Sequence, residues 1–194
     1  MKKILLSILT LCFIAISCDT KKVDHKISEE IQELKDSLHL QKNDTVYIHS
    51  EPFSEITLNK EFEDLNGNKI MFRDLIAKHK GNPVVIDVWA SWCPDCIKGF
   101  PELKNLQEQY PTTSYVFLSL DRNKDKWKEA IDKYELKGEH YYLNEKMKDE
   151  FGTSIDLDWI PRYIVVDSQG NIALKKAIVA NDTLLINTLN KIQL

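Results

Sequence analysis

The stretch VVIDVWASWCPDC, Val84 to Cys96, changes character at its midpoint. Its first half belongs to a near-continuous apolar run from Asn82 to Ala90, the length and composition of a strand buried on both faces. Its second half sets two cysteines two residues apart. From Pro94 to Tyr110 the sequence reads as a helix with proline in the first turn, where a missing N–H costs nothing. A cysteine pair so spaced can be a redox couple, half of a metal site or a structural disulfide. The five histidines (His25, His39, His49, His79, His140) show no paired spacing that would complete a metal site. A two-residue loop would constrain the unfolded chain little. The strand-to-helix position favours the redox couple. Cys93 falls at the helix N-terminus, where unsatisfied N–H groups and the macrodipole favour a thiolate. Cys96, one turn later and deeper, is placed to attack a mixed disulfide formed on Cys93.

Outward from this segment the pattern stays compact and mixed. SYVFLSL (Ser114 to Leu120) reads as a second buried strand and KDKWKEAIDKYEL as an amphipathic helix after it. Asn144 to Phe151 suggests a short helix ended by Gly152. RYIVVD, the turn SQGN and IALKKAIV form a hairpin, and Asn181 or Asp182 can cap a last helix reaching Gln193. Upstream, FSEITL and FEDLNGNKIMF look like short strands around an Asn66-Gly67 turn. Pro101 falls inside the helix after the cysteines and is expected to bend it. Trp89 and Trp127 are expected in the core. The order is β-α-β-α, then β-β-α, with an extra strand pair in front, and there are no repeats or low-complexity tracts.

The N-terminus points to export. Met1-Lys2-Lys3 is a positive start, and Ile4 to Ser17 is an uncharged apolar run too short for a membrane span. Cys18 follows, and then the polar run DTKKVD. Ala15-Ile16-Ser17-Cys18 resembles the lipobox of bacterial lipoproteins, with Ala15 where leucine is commoner, so Cys18 is the expected lipidation site. Residues 1–17 are then a signal peptide and 18–51 a tether. Within the tether Ile27, Ile31, Leu34 and Leu38 mark one face of a short helix. The compact domain is expected over 52–194. With Cys12 lost in the signal and Cys18 carrying lipid, Cys93 and Cys96 are the remaining pair of the four cysteines. The formal net charge is −4. Such a balance argues against a nucleic-acid partner, which needs a basic face.

Together these segments resemble the thioredoxin superfamily, and within it the membrane-tethered bacterial thiol–disulfide oxidoreductases of the TlpA/ResA kind. The resemblance runs from about Pro52 to the C-terminus. It rests on VVIDVWASWCPDC, on Pro101, on Trp159-Ile160-Pro161 before RYIVVDSQGN, and on the leading hairpin with its Asn-Gly turn. It implies an α/β thioredoxin-like fold, a central mixed β-sheet flanked by helices with an extra N-terminal strand pair. It also implies roles. Cys93 attacks and Cys96 resolves. Pro161, as a cis-proline, sits against the disulfide and offers backbone to the substrate. Trp92 and Ile160 form the apolar rim of a docking surface that also includes Pro94 and Asp95. Asp87, six residues before Cys93, is the buried acid that takes the proton of Cys96.

The departures from the family pattern carry information too. Counting back from Asp121, Phe117 replaces the lysine that usually accompanies the buried aspartate. Gly99 stands where TlpA-like proteins often carry a glutamate, and Arg162 where a threonine is usual. Asp95 puts a carboxylate between the cysteines, which disfavours the thiolate and makes the disulfide a poorer oxidant. The expected function is therefore reduction of disulfides in exported proteins, without metal or organic cofactor. The expected partners are protein thiols or disulfides of the cell envelope, an upstream membrane or periplasmic redox donor, and the membrane through the lipid. Two alternatives share the cysteines: a copper-delivery module, and a peroxiredoxin-type peroxidase, against which Ala90 stands in place of the usual threonine.

Overall fold

The computed structural model describes residues 50–193. The expected signal peptide, Cys18 and the helix through Ile27, Ile31, Leu34 and Leu38 lie outside them. In chain order the elements begin with α1 (Glu55–Leu58), β1 (Glu61–Asp64), β2 (Lys69–Met71) and α2 (Phe72–Lys78). Next come β3 (Val84–Trp89), α3 (Pro94–Gln109), β4 (Ser114–Ser119), α4 (Lys124–Tyr134) and β5 (Glu139–Tyr142). The chain closes with α5 (Glu150–Ser154), β6 (Arg162–Val166), β7 (Ile172–Ala177) and α6 (Thr183–Ile192). Among these helices none is long and apolar enough to cross a membrane.

The seven strands form one mixed sheet in the order β2-β1-β5-β4-β3-β6-β7. β3 runs parallel to β4 and antiparallel to β6, and all six of its residues are buried, as an apolar run covered on both faces requires. α3 covers the face that carries Asp87 and Trp89. Phe100 of α3 meets Trp89 edge-on, with ring centroids 5.6 Å apart. The expected extra strand pair is β1–β2, with Gly67 at a positive φ of 87° in its turn. The Asp64 carboxylate closes this turn by accepting from the Asn66 and Asn68 N–H groups. The hairpin extends the sheet beside β5, and Phe62 joins Phe72 and Phe151 beneath it.

Several local expectations are corrected. FSEITL is not a strand, because Ser54 accepts from the Thr57 N–H and starts α1, and Thr57 is buried against Ser154. The helix expected over Asn144–Phe151 begins only at Glu150, and Gly152 lies inside it rather than ending it. A Cβ on Gly152 would come within 1.9 Å of the Met147 carbonyl oxygen, so glycine is there for close backbone approach. α2 and β5 had no signal strong enough to be read. Glu51, placed in the tether from its composition, pairs with Ile172 on β7.

Candidate active site

The segment between β3 and α3 is held by Asp121, at the end of β4. Its carboxylate accepts from the Ser91 N–H at 2.9 Å, the Ser91 hydroxyl at 2.6 Å and the Ser119 hydroxyl at 2.8 Å. The chain then turns, with the Cys93 N–H bonded to the Ala90 carbonyl. Cys93 caps α3: its Sγ accepts from the Cys96 N–H at 3.1 Å, and Pro94 occupies the first turn. The two cysteines form a disulfide with Cα atoms 5.3 Å apart. Once the bond is reduced, the same helix start faces the Cys93 sulfur and stabilises its thiolate. Both cysteines are buried, whereas Pro94 and Asp95 are exposed.

The facing wall is the segment before β6. The Ile160–Pro161 peptide bond is cis, and the Ile160 carbonyl oxygen lies 3.5 Å from Cys93 Sγ. Pro161 and the side chain of Ile160 are buried, so Ile160 presents backbone rather than the apolar rim expected of it. The rim is instead formed by Trp92, 58% exposed, and Trp159, 53% exposed. A groove beside the disulfide is lined by Asp95, Gly99, Glu102, Trp159, Pro161 and Val179. Gly99 opens this groove, and where its Cβ would stand the Tyr163 hydroxyl approaches to 3.7 Å.

Asp87 lies on the sheet face under α3, directly opposite Phe117 on β4 and Tyr163 on β6. Phe117 occupies the position of the missing lysine and stacks on His140 instead. Neither Asp87 oxygen has a hydrogen-bond partner within the protein. Burial therefore pushes the Asp87 carboxyl up to about 8, so at neutral pH it is mostly protonated and within reach of exchange. Burial, reinforced by the Asp87 and Glu102 carboxylates, also raises Tyr163 and keeps it a neutral phenol. Glu102, one turn beyond Gly99, has an unpartnered buried Oε2 near the same phenol.

The structure thus brings Cys93, Cys96, Pro161, Trp92, Pro94, Asp95 and the Ile160 backbone around one disulfide, with Asp87 beneath the same helix. Sequence reasoning missed Trp159 as an exposed ring and Asp121 as the anchor of the Cys93 loop. Asp121 was legible in principle, as an acid closing an apolar strand. Among the described residues no group of three or more His, Cys, Asp or Glu side chains is placed to hold a metal ion.

Comparison with known proteins agrees with this geometry. A thioredoxin-like family profile matches residues 81–172. The thiol:disulfide interchange protein DsbE of Pasteurella multocida is 34% identical over 101 residues, 50% of this chain and 52% of that protein. The thiol-disulfide oxidoreductase ResA of Bacillus cereus is 32% identical over 76 residues, 38% of this chain and 42% of that protein. The chain thus matches about half the length of these curated relatives. Among solved structures, the thioredoxin domain of a thiol-disulfide oxidoreductase from Bacteroides vulgatus superposes with a TM-score of 0.56 at 26% identity. That match covers 68% of this chain and 91% of the other.

Proposed function

The chain belongs to the thioredoxin superfamily, among the TlpA/ResA-like thiol–disulfide oxidoreductases, and on that premise we propose that it reduces disulfides in exported proteins. The observation that carries the reading is a disulfide whose outer sulfur caps a helix and faces a cis-proline segment, between two exposed tryptophans.

In this reading the reduced protein presents a Cys93 thiolate stabilised by the start of α3. It attacks one sulfur of a substrate disulfide, forming a mixed disulfide and expelling the first substrate thiolate, which takes a proton from water. The substrate segment pairs with the backbone of Ile160 and Pro161 and rests on Trp92 and Trp159, with Pro94 and Asp95 at the edge of contact. Cys96 then gives up its proton, for which an ionised Asp87 is the acceptor, and its thiolate attacks Cys93 Sγ. The second substrate thiolate leaves, and the Cys93–Cys96 disulfide is restored. Two electrons have passed to the substrate, and an upstream membrane or periplasmic donor must return them. The exposed Asp95 carboxylate supports the reductant direction, since negative charge beside Cys93 opposes the thiolate that an oxidant must stabilise. The positive start, apolar run and Cys18 of the sequence support a place on the periplasmic or cell-surface side of a bacterial membrane, held by lipid.

Two measurements on the full chain test this. Cys96→Ser should accumulate mixed disulfides with envelope proteins and Cys93→Ser should not; equal trapping would reverse or remove the assigned roles. The equilibrium reduction potential of the pair should lie near thioredoxin's, about −270 mV, or lower. A value near about −120 mV would make the protein a disulfide donor instead.

A further inference from the structure

We propose that Arg162 is a positioning residue for this reaction: paired with Asp158, it holds the Trp159–Ile160–Pro161 segment at the distance from Cys93 that an incoming substrate strand needs. The inference rests on the docking role assigned above to that segment.

Arg162 opens β6 opposite Val88 of β3, between β3 and the edge strand β7, and is 1% exposed. A guanidinium taken out of water is expensive unless its donors are filled; Nε has no partner within the protein, so what fills the two terminal nitrogens shows what the residue is for. Its Nη1 donates to the Ile155 carbonyl at 3.4 Å and the Asp156 carbonyl at 3.2 Å. Its Nη2 donates to the Asp158 carboxylate. All three acceptors belong to the four residues that lead into Trp159. Asp156 stands at a φ of 51°, the left-handed residue that ends α5, where the Leu157 N–H reaches back to the Gly152 carbonyl. The carboxylates of this turn are paired as well. Lys175 of β7 bonds the Asp156 carboxylate at 2.5 Å, and Lys176 bonds the Asp158 carboxylate.

The arrangement explains how an exposed stretch can present a fixed edge. Ile155 and Leu157 are buried, but Asp158 and Trp159 point outward. A planar fork binding two carbonyls and a carboxylate fixes the turn from inside, and the β7 lysines fix it from outside. Downstream by two residues, the Ile160 carbonyl meets Cys93 Sγ. Loosening the clamp should therefore weaken substrate docking and leave the later attack by Cys96 intact.

The experiment uses the reduced full chain and excess of a peptide containing one intramolecular disulfide, with stopped-flow rates measured against peptide concentration. Asp158→Asn, a change at an exposed carboxylate, should raise the half-saturating concentration about tenfold, with the maximal rate kept within about twofold. Arg162→Lys keeps the charge and loses the fork, and should do the same. The double variant should be no worse than either single one. Trp159→Ala reports on docking by a separate route. If Trp159→Ala raises half-saturation while Asp158→Asn and Arg162→Lys do not, the clamp is overturned and the docking segment stands. If none of the three changes it, the docking assignment falls with the clamp. A maximal rate that drops in step with the folded fraction, at unchanged half-saturation, would reduce Arg162 to a structural residue and also overturn the proposal.

Discussion

Two aspartates, one within β3 and one just past the end of the adjacent β4, are each 2% exposed, and their surroundings differ completely. At the end of β4, Asp121 accepts one backbone and two hydroxyl hydrogen bonds, and through Ser91 it fixes the chain that delivers Cys93. In the middle of β3, Asp87 faces Phe117 and Tyr163 and accepts none. Burial alone therefore does not decide what a buried acid does; the donors around it do. A carboxylate with its lone pairs filled is scaffold. One left empty in an apolar layer has its proton held near neutral pH, which is the condition for handing it on.

The sharpest way to break the comparison is to remove the titration. Asp87 has its carboxyl raised from 3.8 to about 8, so the folded state holds a proton that the unfolded chain has already released across that window. The stability this group contributes is fully present below pH 4 and is lost as pH rises through 8. Asp87→Asn cannot titrate. Wild type and variant should unfold with nearly equal free energy at pH 4 and diverge steadily to pH 9, the variant becoming more stable by on the order of 5 kcal/mol. Denaturant unfolding of the oxidised proteins across this range is the measurement, and parallel curves would show that Asp87 does not carry the raised pKa. The same variant should slow resolution of the mixed disulfide by roughly 10²-fold, read by quenched flow. Gain of stability with loss of rate in one substitution is the mark of a functional acid.

How far the sequence disclosed this contrast is itself instructive. The apolar run of β3, the helix after Cys93 and the β6–β7 hairpin were legible because periodicity and turn residues report local structure. The dithiol and Pro161 were legible because their spacing and motif are short. What stayed hidden depended on contacts made only once the chain is folded. FSEITL has strand-like residues, yet a serine cap and a contact with Ser154 make it helical. Gly152 looks like a helix stop until the Met147 carbonyl is brought against it. Trp159 reads only as part of the motif with Ile160 and Pro161, and its exposure goes with a turn whose carbonyls Arg162 binds from the start of β6. Asp87 was marked as a buried acid from its place in the motif. That it has no donors at all could not be read, because Tyr163 and Phe117 face it across strands 76 and 30 positions away.

The smaller effect belongs to Asp121, and it separates scaffold from chemistry. Asp121→Ala leaves the Ser91 N–H and hydroxyl without their acceptor beside the Cys93 loop, and it removes the acceptor of the Ser119 hydroxyl, which keeps only the bond it accepts from the residue 121 N–H. The expected loss is about 2–3 kcal/mol of unfolding free energy at pH 7, measured by denaturant unfolding. Asp121→Asn restores most of it, because the amide oxygen can accept from the Ser91 and Ser119 groups that faced Oδ2 while the Ser91 hydroxyl turns to accept from the amide nitrogen. That rescue is what distinguishes the two acids. An amide reproduces a hydrogen-bond acceptor but cannot take up a proton, so the conservative change should spare the site at Asp121 and disable it at Asp87. If Asp121→Asn slowed the resolving step as much as Asp87→Asn does, the division between an acid that holds and an acid that titrates would be wrong. Both would then belong to one proton path under α3.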